Sequence, residues 1–431
     1  MARAMKDSGI AWIGEIPEGW KVGRVKNGFY RKKEEAHQEN PIILSLARSG
    51  VRVRDMSKNE GQIAESYYNY NVVAVGDLLI NPMDLYSGAN CSISKVAGVI
   101  SPAYINLGSK PGYCGSYYDY YFKTQYWAMA LFAHGKGVSF DNRWTLSNED
   151  LMQYYIPVPP IAEQVKIANY IDSECAQIDA VIEQTRASIE EYKKLKKAVI
   201  TEAVTKGIRP GRKMKDSGIE WIGEIPEEWT VCKLRHIGST QNGISKGGEF
   251  FGEGFPFVSY GDVYRNYSLP KKVSGLVKST KEEQSLYSVK RGDIFFTRTS
   301  ETIEEVGFSC VCEQTIPEAT FAGFLIRVRP YDDAMDIGYS KFYFRSNHHR
   351  FYLVKQMNLV TRASLGQALL KGMPVLLPSK NEQCEIAEYL EEKCTEIDSI
   401  ISSKEQIIAE LEIYKKSLIF EYVTGKKEPL K

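Results

Sequence analysis

The sequence predicts an α+β fold: two mainly-β domains joined by two long helices that form an antiparallel coiled coil, the halves related by an approximate two-fold axis. Three observations carry this. "MKDSGIAWIGEIPEGW" (Met5 to Trp20) returns as "MKDSGIEWIGEIPEEW" (Met214 to Trp229), fourteen of sixteen letters agreeing at an offset of 209. "EQVKIANYIDSECAQID" from Glu163 returns as "EQCEIAEYLEEKCTEID" from Glu382 at an offset of 219. Between the repeats lie short apolar runs punctuated by Gly, Asn, Asp and Pro at strand spacing.

In chain order, residues 1–158 form the first domain, 159–207 the first long helix, 208–376 the second domain and 377–431 the second long helix. "YNVVAVGDLLI" in the first domain, and "SVKRGDIFFT" and "AGFLIRVRP" in the second, read as strands. Gly76-Asp77 and Gly292-Asp293 both form a turn leading into an apolar strand, which hints at a common topology although the two domains otherwise do not align.

The helical segments carry a seam. Ile171, Cys175, Ile178, Ile182, Thr185, Ile189 and Tyr192 step by four and three, as do Leu390, Cys394, Ile397, Ile401, Lys404, Ile408 and Leu411. That spacing lays mostly apolar side chains along one stripe. Pro157, Pro159 and Pro160 precede the first helix, Pro374 and Pro378 the second, and Gly207 and Gly425 mark their ends. Each helix has about 45 residues and a length of about 65 Å. Either helix packing only on its own domain is the alternative; the matching seams argue for pairing. Connectivity makes the pairing antiparallel, and the repeated phrase then sits where a helix end meets a domain. Lys404 interrupts the second seam: its stem packs while the amine reaches water, or it fixes register.

At 431 residues the chain exceeds one ordinary core, and 43% hydrophobic with 25% charged residues is a globular composition. No apolar run reaches the roughly 20 residues that span a bilayer, and the start lacks a signal-peptide core, so a cytoplasmic protein with no membrane partner is expected. Eight scattered cysteines without a CxxC pair read as reduced thiols. Net charge is +1, with the mild basic excess in the two β domains and the acidic excess in the helical segments.

No catalytic motif emerges. There is no GxxxxGK[ST] loop, "HGKGVS" at His134 having only a superficial likeness. "NPMD" at Asn81 lacks the second Pro and the aromatic of an amino-methyltransferase tetrapeptide and reads as a turn. Five histidines, with His348 and His349 adjacent, give no metal spacing and read as ordinary helix or surface residues.

The chain resembles the specificity subunit of type I restriction-modification systems. The resemblance spans nearly all of it: the "WIGEIPEGW" opening, two variable domains, and "PVPPIAEQVKIANYID" leading into a long helix. The pattern Pro160, Glu163, Gln164, Ile167, Ala168, Tyr170, Ile178 and Asp179 recurs as Pro378, Glu382, Gln383, Ile386, Ala387, Tyr389, Ile397 and Asp398. One departure is Ser379 after a single Pro, where the first copy has Pro159-Pro160. The resemblance implies two target-recognition domains, each reading half of a split site on double-stranded DNA, and helices that set the gap and dock two modification subunits. It implies a non-catalytic chain with no cofactor of its own. S-adenosylmethionine, ATP and Mg belong to the modification and restriction subunits.

Base readers are expected in polar, Gly-bearing loops. In the first domain these are Arg48, Ser49, Arg52 and Arg54 in "LARSGVRVR", and Lys136, Asn142 and Arg143 in "GKGVSFDNR". In the second they are Asn242, Ser245 and Lys246; Tyr260, Arg265 and Asn266; Arg298 and Thr299; and Arg362, Ser364 and Gln367. A solvated surface position is the alternative for each. Two other functions stay open: a self-contained DNA adenine methyltransferase, for which no cofactor pocket is evident, and a coiled-coil adaptor with no DNA role.

Overall fold

Both long segments are helical over most of their length: α1 spans Ile161–Lys206 within the expected 159–207, and α2 spans Lys380–Val423, ending before the expected 431. The structure is a computed structural model that describes residues 3–47, 49–57, 64–83, 85–86, 90–138, 144–300, 306–331, 334–356 and 363–429. The repeated Glu-Gln pair explains how each helix begins. Gln164, fully buried, donates from Nε2 to the Pro159 carbonyl at 2.8 Å and accepts the Cys114 amide at 2.8 Å. Gln383 repeats both bonds, to the Pro378 carbonyl at 3.1 Å and from the Asp336 amide at 2.7 Å. The single Pro before Ser379 therefore leaves the second helix entry intact. Each helix stops at a glycine in the left-handed region, Gly207 (φ 75°) and Gly425 (φ 73°), where a side chain would be strained.

The chain forms two units, Met1–Thr185 with Gln406–Lys431, and Arg186–Glu405. Each unit holds one β domain, the start of one long helix and the end of the other.

In the first unit, strands β1 (Phe29–Lys32), β2 (Leu78–Ile80), β3 (Cys91–Ile93) and β4 (Ile105–Ser109) form an antiparallel sheet in the order β1-β4-β2-β3. Its apolar face (Phe29, Leu78, Ile80, Cys91, Leu107) packs with Tyr117, Tyr118, Tyr121 and Phe122 of the helix Gly115–Trp127. In the second unit, β5 (Gly238–Asn242), β6 (Ile294–Thr297), β7 (Ser309–Val311) and β8 (Leu325–Pro330) run in the order β5-β8-β6-β7. The two sheets have the same topology, and the Gly-Asp turn occupies the same place in both. Asp77 accepts the Ala74 amide at 2.8 Å and pairs with Lys32 at 2.7 Å. Asp293 accepts the Lys290 amide at 2.7 Å and pairs with Arg329 at 2.6 Å. Both carboxylates are buried, so each needs its cation.

Within each unit the helices pair antiparallel. In the first, Ile171, Cys175, Ile178 and Ile182 share a core with Leu418, Ile419, Tyr422 and Val423, and Ile408 and Leu411 pack against it. Asp179 meets Lys415 at 2.6 Å, and the Tyr170 and Tyr422 rings lie 4.6 Å apart. In the second, Leu390 and Cys394 join Ile200, Ala203 and Val204, and Lys196 meets Asp398 at 2.6 Å. Ile189 and Ile397 are buried, whereas Tyr192 and Ile401 are half-buried. The Lys-Asp bridge is thus built twice from equivalent residues. Each bridge has a partner more than half exposed, so it aligns the helices more than it stabilises them.

Lys404 is half-buried, with its ammonium 5.6 Å from the centre of the Tyr192 ring. That contact contributes about 0.5–1 kcal/mol at an exposed site. Lys404→Ile is therefore expected to change chemical-denaturation stability by less than about 1 kcal/mol and to leave helix pairing unchanged by circular dichroism.

The repeated phrase forms the same joint in each unit. Met5–Asp7 pairs with Glu15–Pro17, and Met214–Asp216 with Glu224–Pro226, as hairpins. Trp20 and Trp229 are wholly buried. Their indole N–H groups donate to Glu163 and Glu382, the first acid of each helix, at 3.0 Å. Arg3 and Arg212 pair with the same carboxylates and lie over the two indoles. A Cβ on Gly425 would fall 2.4 Å from Pro17, and one on Gly207 would lie 3.3 Å from Trp229. Both phrases therefore clamp the end of one long helix beside the start of the other.

The eight cysteines are free thiols, five of them buried. His348 and His349 lie on the helix Asn347–Gln356, but inside rather than at the surface, each 3% exposed with rings 3.8 Å apart. The Nε2 atoms of both are buried without a hydrogen-bond partner among the described residues. Burial pushes His348 down to about 3 and His349 well below its ordinary value, with His348 adding to the second shift. The unfolded rings titrate near ~6.5, so below that pH the unfolded state binds more protons than the folded one. Stability is complete above pH ~6.5 and falls as the pH drops toward the folded values. Urea unfolding is expected to show lower stability at pH 5 than at pH 7, and His349→Phe should reduce that loss.

Candidate nucleic-acid interface

In the first unit, Ser49 is exposed in the turn of a hairpin between Leu44–Ala47 and Gly50–Val53, and Arg52 is exposed on its second strand. Gly50 takes φ 113° there, a turn geometry that glycine supplies. Arg54 follows, half-buried, with its amide bonded to the Ile43 carbonyl at 2.8 Å. Lys136 is exposed, its backbone bridged to Thr145 and its ammonium 3.2 Å from Asp150. The segment after β2 touches both regions: Asn90 donates to the Ala47 carbonyl at 2.6 Å, and Leu85 to the Trp144 carbonyl at 3.1 Å. Asn81 is in a turn, its side chain accepting the Met83 amide at 3.0 Å. Arg48, Asn142 and Arg143, like Arg362 in the second domain, lie outside the described residues.

In the second unit the structure brings several candidates to one end of the sheet. Asn242 closes β5, Arg298 follows β6, and Thr299 pairs with Ser364. The Leu365 amide donates to the Arg298 carbonyl at 2.7 Å, and Gln367 donates to Asn242 at 3.0 Å. Ser245 is exposed just beyond, where the Gly323 amide bonds to the Ile244 carbonyl at 2.8 Å. Lys246 is diverted: its ammonium binds Glu283 and the Lys278 carbonyl, both at 2.7 Å.

A second group lies on the short helix Tyr260–Arg265. Tyr260 stacks on Tyr264 at 5.9 Å and Arg265 is exposed. Asn266 caps the helix by donating to the Asp262 carbonyl at 2.8 Å. The guanidinium of Arg345 holds this helix through the Val263, Tyr264 and Asn266 carbonyls at 2.7–3.1 Å. Burial lowers its pKa, a cost those bonds offset.

Two features escape the sequence reading. Phe324 is 63% exposed immediately before β8, beside Arg298, whose amide donates to its carbonyl at 2.9 Å. Its apolar neighbours in "AGFLIRVRP" mask it as a strand residue; the preceding Gly323 is the only local sign of a turn. Arg345 carries no sign at all, since the carbonyls it holds on this helix lie about eighty residues away.

Residues 226–413 match the family model for the type I restriction modification DNA specificity domain. The EcoBI specificity subunit of Escherichia coli is 24% identical, covering 94% of this chain and 84% of its own length. The EcoKI specificity subunit of Escherichia coli strain K12 is 22% identical over 96% of this chain and 90% of its own. The chain is similar to type I specificity subunits along nearly its whole length, and residues 226–413 match their DNA specificity domain. The MjaVIII specificity subunit of Methanocaldococcus jannaschii is 24% identical over 95% of this chain and 93% of its own. The specificity-subunit fold is shared by a solved chain from work on complex assembly and conformational transition of the type I R-M system, with a TM-score of 0.72 and 14% identity over 96% and 99% of the two chains. The HsdS subunit of Thermoanaerobacter tengcongensis gives 0.52 and 14% over 96% and 98%.

No group of three or more His, Cys, Asp or Glu side chains is placed to hold a metal among the described residues. No described helix is long and apolar enough to cross a membrane.

Proposed function

We propose that this chain is the DNA-recognition subunit of a type I restriction-modification complex, reading an asymmetric bipartite site. The observation that carries this is one frame built twice around two unlike polar surfaces. Sheet topology, Trp-Glu-Arg joint, helix entry and Lys-Asp bridge all recur, while the loops at the candidate interfaces differ. One frame with two different readers suits two different half-sites.

The remaining assignments follow from that role. Two modification subunits dock on the helical frame and carry S-adenosylmethionine, and restriction subunits add ATP and Mg. Catalysis belongs to those partners, and this chain supplies the choice of sequence. Long-read mapping of methylated adenines in cells with and without this chain tests the proposal. The expected result is a split motif with two unrelated halves that disappears with the chain; methylation independent of the chain would overturn it.

A further inference from the structure

Three chain segments end side by side at one edge of the second unit's sheet. Asn242 pairs with Ile326 and Thr297 with Leu325, so the ends of β5 and β6 flank Phe324 at the start of β8. Asn242 differs from Lys246, whose ammonium is taken by Glu283 and the Lys278 carbonyl: its carboxamide is held through Oδ1 alone. Gln367 donates from Nε2 to Asn242 Oδ1 at 3.0 Å and accepts from Thr240 Oγ1 at 2.7 Å. Thr240 and Asn242, two residues apart on a strand, share a face. Gln241, between them, faces the opposite way and accepts from the guanidinium of Arg327.

The backbone is equally constrained. A Cβ on Gly243 would fall 2.2 Å from the Ala322 carbonyl oxygen, so the turn after Asn242 admits no side chain. The ladder fixes Asn242 on one side, that turn on the other, and Gln367 sets its side chain. No acceptor takes Asn242 Nδ2 among the described residues. Oδ1 keeps a second lone pair. An acceptor and a donor therefore stand adjacent in a fixed plane, matching N6–H and N7 on the major-groove edge of adenine; guanine offers two acceptors there and leaves Oδ1 unmatched. Because the amide is already oriented, little rotamer freedom is lost on binding.

Resting on the DNA-recognition role proposed above, we infer that Asn242 reads an A·T pair in the half-site of the second unit, with Gln367 and Thr240 as positioning residues.

The test uses the full chain assembled with its modification subunits and a duplex library randomised through the half-site, with the bound fraction sequenced. Asn242→Ala is expected to cut the preference for one A·T pair by about tenfold or more and to leave the other positions as they were. Gln367→Ala should weaken preference at that same pair by a smaller factor, which a merely destabilised domain would not do. Unchanged affinity for a non-specific duplex confirms that the variants are folded. Uniform weakening across all sequences, a change at a G·C pair, or preference that survives Asn242→Ala would overturn this inference alone. Absence of any preference in the unsubstituted complex would overturn the recognition role, and this inference with it.

Discussion

Four residues added to each long helix, between Thr185 and Arg186 and between Glu405 and Gln406, are expected to move the complex onto a site whose gap is wider by one or two base pairs. The reasoning follows from helical rise. Four residues add about 6 Å and slightly more than one turn, against 3.4 Å per base pair along the duplex. Both insertions fall at the boundary of the two units, away from either joint. The seam steps by four and three, so an extra four-residue step is a local stutter that the pairing absorbs. Binding to the original gap should drop toward the non-specific level, on the order of 10³-fold, while the wider site is taken up. Selection from duplexes carrying the same half-sites at every gap length reads this directly. An unchanged preferred gap would show that the helices do not measure it.

Trp229→Ala should be the most destabilising single substitution in the second unit. The indole is wholly buried and joins the core that contains Ile225, Leu234 and Val375. It also donates to Glu382, a carboxylate 2% exposed that is otherwise held by Arg212. Truncating such a ring costs about 3–5 kcal/mol, and the buried acid loses a donor as well. For a unit of this size that corresponds to a fall of about 10 °C in Tm, measurable by calorimetry. Trp229→Phe keeps most of the packing and loses only the N–H, so its shift should be less than half as large. Trp20→Ala should reproduce the larger loss in the first unit through Glu163.

The helices and joints were legible because their signals are local or repeated. The seam from Ile171 to Tyr192 is a periodicity within one segment, and the Trp at the end of each phrase stands out because the phrase occurs twice. The Gly-Asp turns marked a shared sheet for the same reason. The candidate interface was legible only as residue types. Asn242 and Gln367 are 125 residues apart, and their contact depends on strand pairing that no local pattern announces. Lys246 lies in a polar Gly-rich loop suited to DNA, yet Glu283, 37 residues on, takes its charge. His348 and His349 do lie on a helix, as expected, but their burial has no local sign because helix Asn347–Gln356 shows little apolar periodicity. What buries them is Tyr343 and Phe344 in the preceding turn.

The division of the long helices between the two units has a consequence during translation. The second unit is one uninterrupted stretch, Arg186–Glu405, so Ile200, Ala203, Leu390 and Cys394 of its core are all synthesised once that stretch is complete. The first unit, although its synthesis begins earlier, lacks Leu418, Ile419, Tyr422 and Val423 of its own core until Gln406–Lys431 emerges. The half made first is therefore the half finished last, and in the interval its exposed Ile171–Ile182 stripe is the surface a nascent-chain chaperone would meet.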